Sequence, residues 1–201
     1  MKIGPKFKIA KRLGAPIFPK TQIQKFALSE ARGGRMKKRR GQISDYNKQL
    51  REKQKMRYTY GISEKQLRRY VNEAVAKSQQ PITHLMQSLE SRLDNVAFRL
   101  GLAKTRQQSR QMVSHGHIVV NGKKITVPSH RVRPGDVVSV REGSKQIGLL
   151  ENLTDEHSMQ GVPGWLKFDL KALAGEVKNV PTYDPAEIMF DPEQVMEYYS
   201  R

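Results

Sequence analysis

Residues 89–125 read LESRLDNVAFRLGLAKTRQQSRQMVSHGHIVVNGKKI, and the fold turns on how the hydrophobic period changes along them. Leu85, Leu89, Leu93, Val96 and Leu100 recur at helical intervals, the pattern of one buried stripe. Thr83 stands where a cap is wanted and Gly101 closes the run, so one helix is predicted between them. Thr105-x-x-Gln108 then has the spacing of a capping box, in which each side chain satisfies the other's free backbone N–H. The helix it opens ends near His115-Gly116 and sets Arg106 and Arg110 one turn apart on one side. From Ile118 the period falls to two. Ile118-Val119-Val120 and Lys123-Lys124-Ile125 flank Asn121-Gly122, a pair that accepts the positive φ of a tight hairpin. Arg133-Pro134-Gly135-Asp136 turns the chain once more before Val137-Val138-Ser139-Val140. Residues 85–145 are thus predicted to form a small α+β module of two helices and three strands.

Upstream the pattern is helical. Ser44 precedes Asp45, a cap and an acidic first turn, and a helix to about Tyr58 carries Lys48, Arg51, Lys53, Lys55 and Arg57. Its apolar contacts are only Tyr46, Leu50 and Met56, so it needs a partner outside itself. Ser63-x-x-Gln66 caps a second helix with Leu67, Val71, Ala74 and Val75 on one face and Arg68 and Arg69 off it. These helices define a lobe over 44–84. Residues 1–43 are punctuated by Gly4-Pro5, Gly14, Pro16, Pro19 and Gly33-Gly34 and read as an extended basic arm. Residues 146–164 read as a connector. In the tail, Trp165–Leu170 suits a short strand, and Asp191-Pro192-Glu193 opens a terminal helix bearing Val195, Met196, Tyr198 and Tyr199.

The 201 residues hold 37 Lys+Arg against 19 Asp+Glu, a net charge of +18. Residues 1–80 carry 22 basic and 5 acidic side chains, whereas residues 143–201 carry 5 and 10. Charge so concentrated opposes compaction until a polyanion neutralises it, and nucleic acid does so with release of condensed counterions. An anionic membrane would require a bulky apolar face opposite the cations; the basic stretches are poor in Trp, Phe and Leu. No apolar run approaches about 18 residues, and the lysine-rich start has no apolar leader core. A cytoplasmic chain without membrane contact is expected. The absence of cysteine excludes disulfides, thiolate nucleophiles and cysteine-held zinc. His115 and His117 lack a spaced third ligand, and no phosphate-binding glycine loop, nucleophile elbow or paired carboxylates appear. Neither an enzyme, a metal, a cofactor nor a small-molecule substrate is expected.

The order Arg92-Leu93-Asp94, Arg99-Leu100-Gly101, Arg106, Arg110-Gln111, Ser114-His115, Ile118-x-Val120-Asn121-Gly122-Lys123 and Pro134-Gly135-Asp136 resembles the S4 RNA-binding module. Gly4-Pro5-Lys6-x-Lys8, Ser44-Asp45-Tyr46-x-x-Gln49-Leu50-Arg51-Glu52-Lys53-Gln54-Lys55 and Tyr60-Gly61 resemble the bacterial-type small-subunit ribosomal protein S4 family, over nearly the whole chain. That resemblance implies an α+β fold with a mainly helical first lobe, a separate RNA-binding lobe, and a C-terminal segment, about 165–201, packing back on the first lobe. It implies a structural component of the small (30S) subunit that binds the 5′ domain of 16S rRNA and helps nucleate assembly. Contact with small-subunit ribosomal protein five, an influence on decoding accuracy and a place at the messenger RNA (mRNA) entrance follow from it too. Relatives that hold zinc do so with four arm cysteines, which this chain lacks. The alternative is a stand-alone RNA-modifying or tRNA-binding factor carrying the same module; Arg92-Leu93-Asp94 echoes the Arg-Leu-Asp of some pseudouridine synthases, but Asn95-Val96-Ala97 follow it inside a helical stripe.

Candidate rRNA contacts are Lys6, Lys8, Lys11 and Arg12 in the arm, with Lys37, Lys38, Arg39 and Arg40 at the mRNA entrance by position and charge. Arg51, Lys53, Lys55, Arg57, Arg68 and Arg69 follow in the helical lobe. The module adds Arg106, Arg110, Ser114, His115, His117, Asn121 and Lys123, a polar strip suited to phosphates and 2′-hydroxyls. Arginine forks suit phosphate. Arg92 and Asp94 are read as an internal pair, with Arg99 unassigned.

Overall fold

The computed structural model describes residues 3–29, 44–144, 161–169, 172–182 and 184–200. Lys37, Lys38, Arg39 and Arg40, and most of the expected connector, lie outside the described residues.

The expected irregular arm is folded over residues 3–29. Helix α1 (Lys6–Leu13) starts after Pro5 and ends on Gly14, which takes φ 69° as its left-handed cap. A 3₁₀ turn (Pro19–Thr21) and helix α2, described over residues 24–29, follow. Ile9, Ala10, Leu13, Ala15, Ile17, Phe18 and Phe26 form a small core. The glycines and prolines that suggested irregular chain mark the ends of these pieces, and Ile9, Ala10 and Leu13 supply one helical face between them.

Helix α3 (Asp45–Tyr60) is capped by Ser44, whose Oγ accepts the Asn47 N–H at 3.4 Å. It buries Gln49, Lys53, Met56 and Tyr60. The outside partner that such a polar stripe requires is the chain's own last helix, α8 (Pro192–Ser200), which packs along it. Gln49 Nε2 donates to Glu197 Oε2 at 2.9 Å, and the Tyr60 ring meets Phe190 edge-on at 6.2 Å. Helix α4 (Glu64–Lys77) begins with the expected reciprocal box: Gln66 N–H donates to Ser63 Oγ, and Ser63 N–H to Gln66 Oε1, each at 3.3 Å. Its buried arc is Leu67, Tyr70, Val71 and Ala74; Val75, expected in the core, is exposed because Tyr70 completes the arc instead. Residues Met1–Ile82 and Asp184–Arg201 make one compact unit, Thr83–Tyr183 the other.

In the second unit the single helix expected from Thr83 to Gly101 is two. Helix α5 (Pro81–Glu90) begins at the proline, and α6 (Leu93–Arg99) begins after Arg92, whose backbone is extended. Arg92 forms an antiparallel bridge with Arg131, and Leu93 and Asp94 give their N–H groups to the His130 and Pro128 carbonyls. The stripe of leucines continues across the break, which hides it from periodicity. Helix α7 (Arg106–Ser114) is capped by Thr105, but Gln108 reaches one residue further back, accepting from Lys104 N–H at 3.0 Å.

Among the described residues the sheet has five antiparallel strands, the three expected of the module and two more, the first of them where Trp165–Leu170 suits a strand: β1 (Ile118–Val120), β2 (Lys123–Lys124), β3 (Val137–Val140), β4 (Leu166–Asp169) and β5 (Ala174–Val177), in the order β2-β1-β3-β5-β4. Strands β4 and β5 therefore complete this sheet rather than the helical lobe, whose C-terminal contribution is α8 and the residues just before it. Val138 pairs with Gly175, and a Cβ there would stand 2.2 Å from Leu100 Cδ2, so glycine lets α6 lie close on the strand. Leu93, Val96, Leu100, Met112, Val113, Ile118, Val138, Val140, Trp165 and Val177 share the resulting core. The hairpin is as predicted, with Asn121 at φ 50° and Gly122 at φ 75°.

Candidate nucleic-acid interface

Helix α7 owes its position to Met112 and Val113, which enter the core and leave Arg106, Arg110 and Ser114 along one side. Neither arginine is a loose surface cation. Arg106 Nε donates to Asn95 Oδ1 at 2.8 Å, and its guanidinium lies 4.5 Å from the Phe98 ring centroid. Arg110 Nη1 donates to Asp94 Oδ2 at 3.3 Å. Asp94 is held in turn by Arg92, through Nε to Oδ1 at 3.0 Å and Nη2 to Oδ2 at 2.6 Å. Ser109 donates its hydroxyl to the Asp94 carbonyl, which ties α7 to α6. The Arg92 side chain is fully buried, so the internal pair expected from sequence is present. Arg99, unassigned from sequence, donates to Glu90 at 3.1 Å.

At the helix exit Ser114 and His115 are exposed. The His115 and His117 ring centroids stand 6.0 Å apart, and His117 Nδ1 meets Ser144 Oγ at 3.0 Å. Asn121 is committed within the fold: its Nδ2 donates to Asp136 Oδ1, and its Oδ1 accepts from Val137 N–H, each at 2.8 Å. It is better read as the clamp between hairpin and following turn than as a contact for RNA. Lys123 is exposed at the hairpin. Sequence reasoning missed Lys124, whose Cε lies 2.1 Å from where a Cβ on Gly116 would sit, over the turn joining His115 to His117. The alternation of the hairpin carried that signal, since Lys124 pairs with half-buried Val119 and Lys123 with buried Val120. Exposed Arg133 and Arg141 were also passed over.

In the first unit Lys8, Lys11 and Arg12 are exposed on α1 opposite its buried face, and half-buried Lys6 lies 5.9 Å from the Phe18 ring. Arg68 and Arg69 are exposed on α4 and Arg51 is half-buried on α3. Three further expected contacts are paired within the unit. Lys53 is buried, donates to Glu64 Oε1 at 3.0 Å and lies 4.5 Å from the Tyr198 ring. Lys55 pairs with Glu52 at 2.6 Å, and Arg57 with Glu64 at 3.5 Å while stacking on Tyr58. The charges read as an RNA face are partly the means by which a polar helix is held. Burial pushes the Glu64 carboxyl up, but hydrogen bonds from Tyr199 and Lys53 and the Lys53 and Arg57 charges outweigh it, leaving the pKa below the ordinary value. Burial, then the bond to Glu64 and its charge, raises the Tyr199 phenol. Among the described residues no cluster of three or more His, Asp or Glu is placed to hold a metal ion, and no helix is long and apolar enough to cross a membrane.

Two tethered arginines on a short helix run into a basic hairpin within residues 91–138, which match the S4 domain family. Residues 1–90 match the Ribosomal protein S4/S9 N-terminal domain. The chain is 40% identical over 200 residues to the small ribosomal subunit protein uS4 of Persephonella marina, covering 98% of each chain. It is 42% identical over 202 residues to that of Laribacter hongkongensis, again covering 98% of each. With that of Chlorobium limicola it shares 39% over 194 residues, 96% of each. The chain belongs to the small ribosomal subunit protein uS4 family.

Proposed function

We propose that this chain is a structural protein of the small (30S) ribosomal subunit that binds the 5′ domain of 16S rRNA and helps nucleate assembly. The observation that carries this reading is the full-length likeness to proteins named small ribosomal subunit protein uS4, joined to a module that holds Arg106 and Arg110 side by side. Arg106, Arg110, Ser114, His115, His117, Lys123 and Lys124 form the contact strip of the module. Lys8, Lys11, Arg12, Arg51, Arg68 and Arg69, with Lys6 at the edge, form that of the first unit. Lys37, Lys38, Arg39 and Arg40 face mRNA at its entrance, and the surface beside small-subunit ribosomal protein five influences decoding accuracy. The protein works in the cytoplasm as part of the ribosome and catalyses no reaction. Phosphate contacts supply affinity and the folded shape of the RNA supplies selectivity.

The test is binding of the purified chain to a 5′-domain transcript of 16S rRNA across a potassium chloride series. Log K falls by about 0.7–0.9 per neutralised phosphate for each tenfold rise in salt, and duplex DNA of equal charge competes poorly. Salt-independent binding, or equal competition by duplex DNA, overturns the reading. Modified nucleosides appearing in the incubated RNA point instead to a stand-alone modifying factor.

A further inference from the structure

We infer that Asn95 is a positioning residue: from inside the module it sets the Arg106 guanidinium in the orientation that meets an RNA phosphate. The inference rests on the RNA-binding reading above and adds how the surface is organised in advance.

Asn95 is buried and both polar ends of its amide are committed. Its Nδ2 donates to Glu90 Oε2 at 2.7 Å and to the Glu90 carbonyl at 3.1 Å. A flipped amide would set an acceptor against two acceptors, so Oδ1 has only one direction in which to point. In that direction stands Arg106 Nε, at 2.8 Å. Glu90 cannot swing to release the amide, because Arg99 holds it through Nε at 3.1 Å and Nη2 at 3.4 Å. The other constraint is planar: Phe98, in the last turn of α6, lies under the guanidinium at 4.5 Å. An acceptor on one edge and a ring on one face fix the rotation of the fork. Arg110 has its own anchor in Asp94, one turn further along α7, so the pair is presented at a fixed separation. A fork already immobilised gives up less rotamer freedom when a phosphate arrives.

The test is a double-mutant cycle on affinity for the 5′-domain transcript, using the full chain and the variants Asn95→Ala, Arg106→Ala and both together. Asn95→Ala weakens binding about two- to twelve-fold, the loss expected when one arginine must be immobilised on binding. In the Arg106→Ala background the same change has no further effect, and the salt slope of Asn95→Ala stays that of the wild type because no phosphate contact is removed. Phe98→Leu, a half-buried position, repeats the cycle should Asn95→Ala not fold, with the same dependence on Arg106. Additive losses in either cycle mean that Asn95 and Phe98 only support the fold, and they overturn the inference. Arg106→Ala binding as the wild type does also overturns it. Failure of the wild type to bind the transcript is a separate outcome, which defeats the RNA-binding reading itself.

Discussion

Replacing Asp94 by alanine removes the carboxylate that faces Arg92 and Arg110, and with it both hydrogen bonds that this carboxylate accepts from the buried Arg92 guanidinium. The Arg92 side chain is 0% and that of Asp94 6% exposed, and Arg92 grips both carboxylate oxygens. Solvent therefore screens little of this pair. Breaking a buried pair by deleting one member costs about 3–5 kcal/mol, because the remaining charge is uncompensated. The main-chain carbonyl of Asp94 still accepts from Ser109 in the variant, so the α6–α7 tie through the backbone survives. Against a typical domain stability of about 5–15 kcal/mol, the loss is a large share of what holds the second unit folded. Trp165 makes this measurable: it is the one tryptophan of the chain and is buried in the core of that unit. Its fluorescence in a urea titration reports on the core of the second unit. With a slope of about 2 kcal/mol per molar, the midpoint falls by about 1.5–2.5 M. Replacing the pair together, Arg92→Met with Asp94→Leu, recovers most of the loss, since apolar residues of similar volume fill such sites without a charge to satisfy. A loss below about 1 kcal/mol for Asp94→Ala, the range of surface pairs, refutes the reasoning.

Gly175→Ala pushes a methyl to within 2.2 Å of Leu100 Cδ2 in a filled core and lowers stability by about 1–3 kcal/mol by the same Trp165 readout. Lys53→Met destabilises the first unit by about 1–2 kcal/mol in calorimetry, while leaving the salt slope of RNA binding unchanged. Arg68→Ala does the reverse, lowering the slope by about one phosphate contact with no loss of stability. The folded-state pKa of Glu64 is depressed, so its stabilisation is whole above the ordinary value of 4.5 and is lost as the pH falls below that value through the lower folded one. That of Tyr199 is raised, so its contribution is whole below about pH 10 and fades in stronger alkali. Tyr199→Phe removes the hydrogen bond to Glu64 (2.7 Å) and with it the alkaline loss, seen as a flatter melting temperature above pH 10.

The module was legible because its signals are local. The Asn121-Gly122 hairpin, the Thr105 cap and the Arg92–Asp94 pair each follow from residues close together in the chain. What sequence hid depends on distant partners. The break at Arg92 is made by the loop through Pro128 and His130, which takes the N–H groups an unbroken helix would keep. Strand β4 falls where Trp165–Leu170 suits a strand, but β5 carries no strong alternation, and Gly175 gains its meaning only from Leu100 above it. Lys53 and Asn121 illustrate the matching limit for the site. Their types suit RNA, but Glu64 and Tyr198, or Asp136 and Val137, reach them first across the fold. Helix α1 was obscured by the Gly and Pro residues that bound it.

As proposed, this cationic chain is a built-in part of the small subunit. Sedimentation of ribosomes from the source cell through a high-salt sucrose gradient, with the chain followed by mass spectrometry, tests it directly. One copy per small subunit, retained through the wash, is the expected result; a chain found only at the top of the gradient, apart from the subunits, contradicts that placement.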